Sequence, residues 1–285
     1  MASINEVAKT TAVAPKAKTG KLQEFWHAVK KDWRLYSLLL LPLLHYIIFQ
    51  YIPMYGVVIA FRRYQPGGPV YGSQWVGLRY FRMFLRDYGF WRAFRNNLII
   101  SIEYLVISFP FPIIFALLLN ELKNLKFKRF VQTVSYLPHF ISTVIVVGML
   151  KEMLSPTIGI VNMALKALTG NTIDFLSEPK WFRTIYIVSG IWQQLGWNSI
   201  IYLAALTNIN PELYDAAKVD GASRFQQIKY VTIPGILPTV MVILILNIGS
   251  LMSVGFEKIL LLYNPLTYET ADVISTFLYR MGLVN

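Results

Sequence analysis

The chain has 285 residues, 55% of them hydrophobic and only 15% charged, and its mean hydropathy is +0.47. A soluble domain keeps roughly a quarter of its residues charged, so the composition excludes an ordinary water-soluble globule. The absence of cysteine excludes a disulfide framework and a thiolate metal site. A formal charge of +12 in so apolar a chain suits a bilayer with anionic headgroups better than a nucleic acid, for which no compact basic domain is present.

Residues 1–21 are rich in Ala, Lys and Thr and lack an apolar period, which predicts a disordered tail. A signal peptide is not expected, because no apolar run begins before Tyr36 and no small-residue cleavage site follows it. Leu22, Phe25, Trp26, Val29 and Trp33 fall at helical spacing with Lys21, Lys30 and Lys31 off the stripe. Residues 22–35 therefore read as an amphipathic helix lying in the membrane interface. Residues 36–285 then form a transmembrane domain. Runs of about 20 apolar residues cross the hydrocarbon as helix, and they predict five spans at 36–61, 97–119, 131–150, 184–206 and 239–262. Pro110 and Pro112 should kink the second, since proline removes a backbone donor and crowds the preceding turn. The connection 62–96 is polar and aromatic, and 151–183 carries turn signals at Ser155-Pro156, Gly159 and Gly170-Asn171. Lysines and arginines divide fourteen to twelve between the two sides, which favours a cytoplasmic N-terminus by a narrow margin.

Residues 208–238, between the fourth and fifth spans, read as a helix, a sharp turn and a second helix. Asn210 is placed to cap the first helix, Pro211 to open it, and Glu212 and Asp215 to favour its positive end. Leu213, Ala216 and Ala217 make a small apolar face, and Gly221 can take the left-handed conformation that stops the helix. Ser223 then caps the second helix, with Phe225, Ile228 and Val231 on one side and Pro234 and Pro238 at its end. A compact knob of small residues suits a groove on a soluble partner, with a carboxylate available to an arginine. An ordinary amphipathic loop fits the same composition.

The residue order resembles the EAA coupling loop of ABC importer permeases in Asp215-Ala216-Ala217, Asp220-Gly221-Ala222 and Ile233-Pro234. Asp215 stands where that pattern has glutamate, one methylene shorter. GSQWVGLRYF at 72–81, FALLLNELKNLKFKRFVQTVSYLPHFIS at 115–142 and VGFEKILLLYNPLTYETADVIS at 254–275 resemble the oligosaccharide branch, related to the membrane subunits of the maltose transporter. The likeness covers roughly residues 35–285 and implies an all-α helical bundle of the type I importer permease fold in the bacterial cytoplasmic membrane. It further implies that Asp215, Ala216, Ala217, Asp220, Gly221, Ala222 and Pro234 couple the chain to an ATPase on the cytoplasmic side. The implied partners are two ATPase subunits that bind ATP and Mg, a second homologous permease, an extracytoplasmic solute-binding protein and an oligosaccharide substrate. This chain itself would then hold no cofactor. Permeases of this kind have a sixth span, and no further apolar run of that length follows residue 262; the expectation is a truncated chain.

Polar residues inside spans are costly, so shared polar faces mark a pathway or helix contacts. Gly190, Gln193, Gln194 and Trp197 fall on one face of the fourth span. Amides can exchange hydrogen bonds with hydroxyls and an indole can carry a sugar face, and by resemblance these positions match sugar-contacting ones; hydrogen bonding between helices is the other reading. In the fifth span Asn247, Ser250, Ser253 and Glu257 cluster within about a third of a turn, with Lys258 available to neutralise the acid. Gln132, Ser135, His139 and Ser142 share a face of the third; His139 is either a path residue or a packing one. Glu103 either pairs with an arginine or lines the path. The histidines His27, His45 and His139 lack HExxH spacing, and neither a GxSxG elbow nor a GxxxxGK[ST] loop occurs, so the chain is not expected to be an enzyme or to hydrolyse ATP itself. A permease for a non-sugar solute and a membrane scaffold without a path stand as alternatives.

Overall fold

A computed structural model describes residues 21–65, 67–69 and 71–284. The tail expected at 1–21 lies outside them except for Lys21. Two compact units divide the chain between Met83 and Phe84.

The first unit holds helix α1 (Lys21–Lys31) and helix α2 (Trp33–Phe61), 29 residues long. Trp33, expected on the interfacial helix, instead opens the span after a turn at Asp32. Within α2 a π-helical turn over Ile47–Tyr51 precedes Pro53, and the Ile52 N–H reaches back to the Ile47 carbonyl. The wide turn places Pro53 in the first turn of the next segment, and the helix runs on through it to Phe61. Beyond the span, Arg62 and Trp75 form an isolated antiparallel bridge, and the Phe61 and Trp75 rings stack with centroids 5.4 Å apart.

The second unit opens with α3 (Tyr88–Glu121), whose first N–H groups are capped by the Asp87 carboxylate, 2.6 Å from Gly89 N. Pro110 and Pro112 do not break it. Phe109 keeps helical dihedrals (φ −62°, ψ −41°) and both prolines fall in the first turn of the segment that follows, so the two pieces run as one span. The third expected span is broken. Helix α4 (Leu125–Phe140) and helix α5 (Thr143–Leu154) meet at 98°. Pro138 tightens the end of α4 into a 3-10 turn, and Ser142, in extended conformation, turns its hydroxyl to the Ile145 N–H as the cap of α5. Ser142 therefore does not share a face with Gln132 and Ser135.

The connection 151–183 contains a helix of its own, α6 (Ile160–Thr169), stopped by Gly170 at φ +79°. The buried Asn162 amide donates to the carbonyls of Leu154, Ser155 and Ile173 and fixes the path on either side. Helix α7 (Pro179–Thr207) runs 29 residues, about 44 Å at 1.5 Å per residue, and packs against α3, α4 and the last span. Two buried clusters sit on it. Ile100, Val147, Phe182, Tyr186, Ile187 and Ile259 make one; Ala116, Tyr202, Leu206 and Ile236 make the other.

After the short helix α8 (Pro211–Val219) comes α9 (Arg224–Gly249). Pro234 and Pro238 do not end it, contrary to expectation. A π-helical turn over Ile228–Thr232 precedes Pro234 just as one precedes Pro53, and the helix continues through both prolines to Gly249. The fifth span thus lies some fifteen residues earlier than expected, and 239–262 is not one helix: the chain leaves α9 at Ser250 and resumes as α10 (Phe256–Leu262). Beyond Asp272 comes α11 (Ile274–Tyr279), which runs on into a π-helical turn over Arg280–Val284.

Among the described residues no strand occurs and three helices, α2, α3 and α9, are long and apolar enough to cross a membrane; the bent pair α4–α5 makes a fourth. Helix α7 has the length with a more polar composition.

Candidate functional site

A cavity of about 670 Å³ opens between α3, α7 and the C-terminal end of α9. Ser101, Tyr104 and Ser108 line it from α3; Tyr186, Trp197, Asn198 and Tyr202 from α7; Asn247, Ser250 and Ser253 from α9 and the turn after it. The lining combines aromatic rings, hydroxyls and carboxamides with aliphatic side chains, and among its residues there is no carboxylate, ammonium or guanidinium. Rings offer apolar platforms, while amides and hydroxyls both donate and accept. Such a surface suits a ligand with alternating hydroxyl edges and C–H faces.

Of the residues singled out in the sequence, Trp197, Asn247, Ser250 and Ser253 reach this cavity. The other polar residues of α7 turn toward neighbouring helices. Gln193 is buried and its Nε2 donates to the Ile141 carbonyl at 3.0 Å; Gln194 Oε1 lies 2.9 Å from His139 Nδ1. His139 in turn stacks on Trp197, centroids 4.2 Å apart and planes 3° from parallel. Gly190 packs against the Tyr104 ring. The Gly190–Trp197 set is therefore split, one member facing the cavity and the rest holding α7 to α3 and α4. Gly196 is more demanding still, since a Cβ there would run into the Ser135 backbone carbonyl. Glu257 sits exposed in the first turn of α10, outside the lining. Lys258 does not serve it: its Nζ donates to the Tyr186 carbonyl at 3.1 Å and lies 5.0 Å from the Tyr186 ring centre. Glu103 faces Arg183, N···O 3.6 Å.

Sequence reasoning missed Ser101, Tyr104, Ser108, Tyr186, Asn198 and Tyr202. A signal was present: Ser101, Tyr104 and Ser108 stand at i, i+3 and i+7 on α3, and Tyr186 stands eleven residues, three helical turns, before Trp197.

The segment 208–238 forms a second surface. Asn210 caps α8 by accepting from the Glu212 N–H at 3.0 Å, Pro211 opens the helix, and Gly221 at φ +75° reverses the chain. Ser223 and Gln226 form a reciprocal capping box at the start of α9. Two side-chain contacts tie this turn to the spans. Tyr214 and Thr232 hydroxyls share a hydrogen bond of 3.0 Å, and Arg224 pairs with Glu121 at the end of α3, 2.9 Å. Facing outward are Leu213, Val219 and Phe225, the last two 88% and 75% exposed, with the Asp215 carboxylate held 2.9 Å from Lys218.

Residues 108–283, more than half the chain, match the family described as the binding-protein-dependent transport system inner membrane component. The chain belongs to that family. It is 42% identical over 272 residues to the protein LplB of Bacillus subtilis (strain 168), covering 95% of this chain and 86% of the relative. Over 249 residues it is 43% identical to the polygalacturonan/rhamnogalacturonan transport system permease protein YteP of the same organism, covering 87% and 78%. In three dimensions it superposes on a chain of a bacterial ABC transporter involved in the import of the acidic polysaccharide alginate, with a TM-score of 0.84 and 46% identity over 92% of this chain and 88% of the other. A second structure of a bacterial alginate ABC transporter, in complex with an alginate pentasaccharide-bound periplasmic protein, gives a TM-score of 0.83 at 46% identity, covering 91% and 86%. Membership makes the chain a multi-pass permease component of the inner membrane, the non-catalytic part of an ABC transporter, with the type I importer fold.

Proposed function

We propose that the chain is one permease subunit of an ATP-driven importer that carries oligosaccharides into the cytoplasm. In this reading the N-terminus and the segment 208–238 are cytoplasmic. Of two ATPase subunits, which bind ATP and Mg, one docks on the turn around Asp215, Ala216, Ala217, Asp220, Gly221 and Ala222, while Pro234 lies in the span behind it. A second homologous permease completes the passage, and an extracytoplasmic binding protein delivers the sugar. The names of relatives favour oligomers of acidic polysaccharides, polygalacturonan, rhamnogalacturonan and alginate, as the substrates to test.

The observation that carries the reading is the double attachment of an exposed knob. Leu213, Val219 and Phe225 are exposed to a partner, as is Asp215 beside its Lys218 contact, while Tyr214–Thr232 and Arg224–Glu121 lock the same turn to α9 and α3. Those spans also border the cavity. A partner that closes on ATP can therefore rock α3 and α9 as rigid bodies, and only contacts that differ between the two states can couple ATP to transport. In the cavity, Trp197 offers its ring and Asn198, Asn247, Ser250 and Ser253 offer hydrogen bonds, with His139 and Gln194 holding the indole plane. Gln193 and Gly190 act as wall residues, and Glu257 has no place in the path.

Asp215→Arg tests the docking directly. We expect the ATPase subunits to be lost on co-purification and oligosaccharide uptake to fall to background. Normal uptake together with normal ATPase stimulation would contradict the assignment.

A further inference from the structure

A Cβ built on Gly190 would stand 2.7 Å from Cε2 of Tyr104 and 3.1 Å from its hydroxyl oxygen. Side-chain carbons do not approach that closely, so any larger residue at 190 must move the ring. Its freedom is limited. The Tyr104 ring sits edge-on to that of Tyr186, centroids 5.9 Å apart. Tyr186 cannot easily give way, because it is buried, its hydroxyl accepts from the Gly255 N–H at 3.3 Å, and the Lys258 ammonium lies over its ring. With α7 on one side and Tyr186 on another, the open direction for Tyr104 is the cavity it already lines.

We propose that Tyr104 sets the width of the passage, and that Gly190 is a positioning residue whose missing side chain lets the ring recede into the α7 wall. The identity of the cargo rests on the importer reading; the geometry does not. Larger residues at 190 then select against bulky solutes without touching them, and smaller residues at 104 admit them.

The chain has no cysteine, so Ser108→Cys, one helical turn beyond Tyr104 on the same face of α3, places a single reporter thiol in this subunit's cavity. In membranes carrying the whole transporter, that thiol is labelled with methyl methanethiosulfonate and with a disaccharide-sized methanethiosulfonate. Adding Gly190→Ala should slow the large reagent roughly tenfold, as overpacking narrows the space, and leave the small one unchanged. Adding Tyr104→Leu as well should restore the large reagent's rate. Slowing that does not depend on reagent size, or that Tyr104→Leu fails to relieve, would overturn the proposal. If the Gly190→Ala transporter does not assemble, Tyr104→Leu alone decides: it must quicken the large reagent, and an unchanged rate overturns the proposal. Uptake of tetragalacturonate by the same variants, without the reporter, should follow the large reagent. Labelling as expected with sugar uptake unmoved would uphold the Tyr104 wall and count against the sugar pathway, so the two failures are distinguishable.

Discussion

Asp272 is wholly buried and lies 2.7 Å from Arg280, 3.3 Å from Arg92 and 2.9 Å from the Thr276 hydroxyl, so a single carboxylate joins α3 to α11. Breaking a buried pair by removing one partner leaves the other charge uncompensated, at about 3–5 kcal/mol. Asp272→Ala is therefore expected to lower the thermal unfolding midpoint in detergent by many degrees, and Arg280→Lys, which keeps the charge but loses the fork, by less. Equal stability of Asp272→Ala and the parent would contradict this role. The His139–Trp197 stack makes a smaller claim. Aromatic pairs contribute about 1 kcal/mol beyond burial, so His139→Ala should raise the half-saturating oligosaccharide concentration several-fold and His139→Phe should largely preserve it, measured by uptake kinetics. None of these contacts could be read from the sequence. Spacing put Gly190, Gln193, Gln194 and Trp197 on one side of α7, and they are on one side. Yet that side spans the boundary between a packed interface and the cavity, and a rotation of one residue, 100°, decides which a side chain meets. Only the neighbouring helices fix that rotation.

Helix ends divide in the same way between local and non-local causes. Asn210, Pro211, Gly221 and Ser223 act through groups two or three residues away, and all four take the roles that local chemistry predicts. Gly221 at φ +75° has open space around its Cβ position, so backbone strain alone opposes a substitution there. The left-handed region costs an ordinary residue about 1–2 kcal/mol and asparagine less. Gly221→Val should accordingly weaken co-purification of the ATPase subunits and Gly221→Asn should not; equal behaviour of the two variants would argue against the hinge. Prolines proved harder to read. Pro53 and Pro234 each follow a π-helical turn that lets the helix run on, and such turns are tolerated in spans because other groups re-satisfy the freed carbonyls. At Pro53 and Pro234 the turn before the proline accommodates it, whereas Pro42 and Pro238 lie within regular helix, and hydropathy reports neither arrangement. The break at Phe140–Ser142 shows the reverse: an apolar run long enough to cross, folded at 98° by Pro138 and the Ser142 cap.

For the whole molecule, composition and apolar run length were sufficient to establish a multi-pass helical membrane protein, and the order of residues 208–238, with the stretches at 72–81, 115–142 and 254–275, carried the resemblance to the family that the match over 108–283 shows. Orientation was not accessible from charge, because lysines and arginines are nearly balanced across the spans. The side of the membrane that the α8–α9 turn faces therefore decides between an ATPase-coupled importer subunit and any other role. Val219, 88% exposed at the end of α8, offers the test, because Val219→Cys would be the only cysteine in the chain. Carrying a benzophenone-maleimide in the assembled transporter, it should crosslink to an ATPase subunit on illumination, and in intact cells it should resist a membrane-impermeant thiol reagent. Labelling from outside the cell, or crosslinks to lipid alone, would contradict the coupling role on which the importer reading stands.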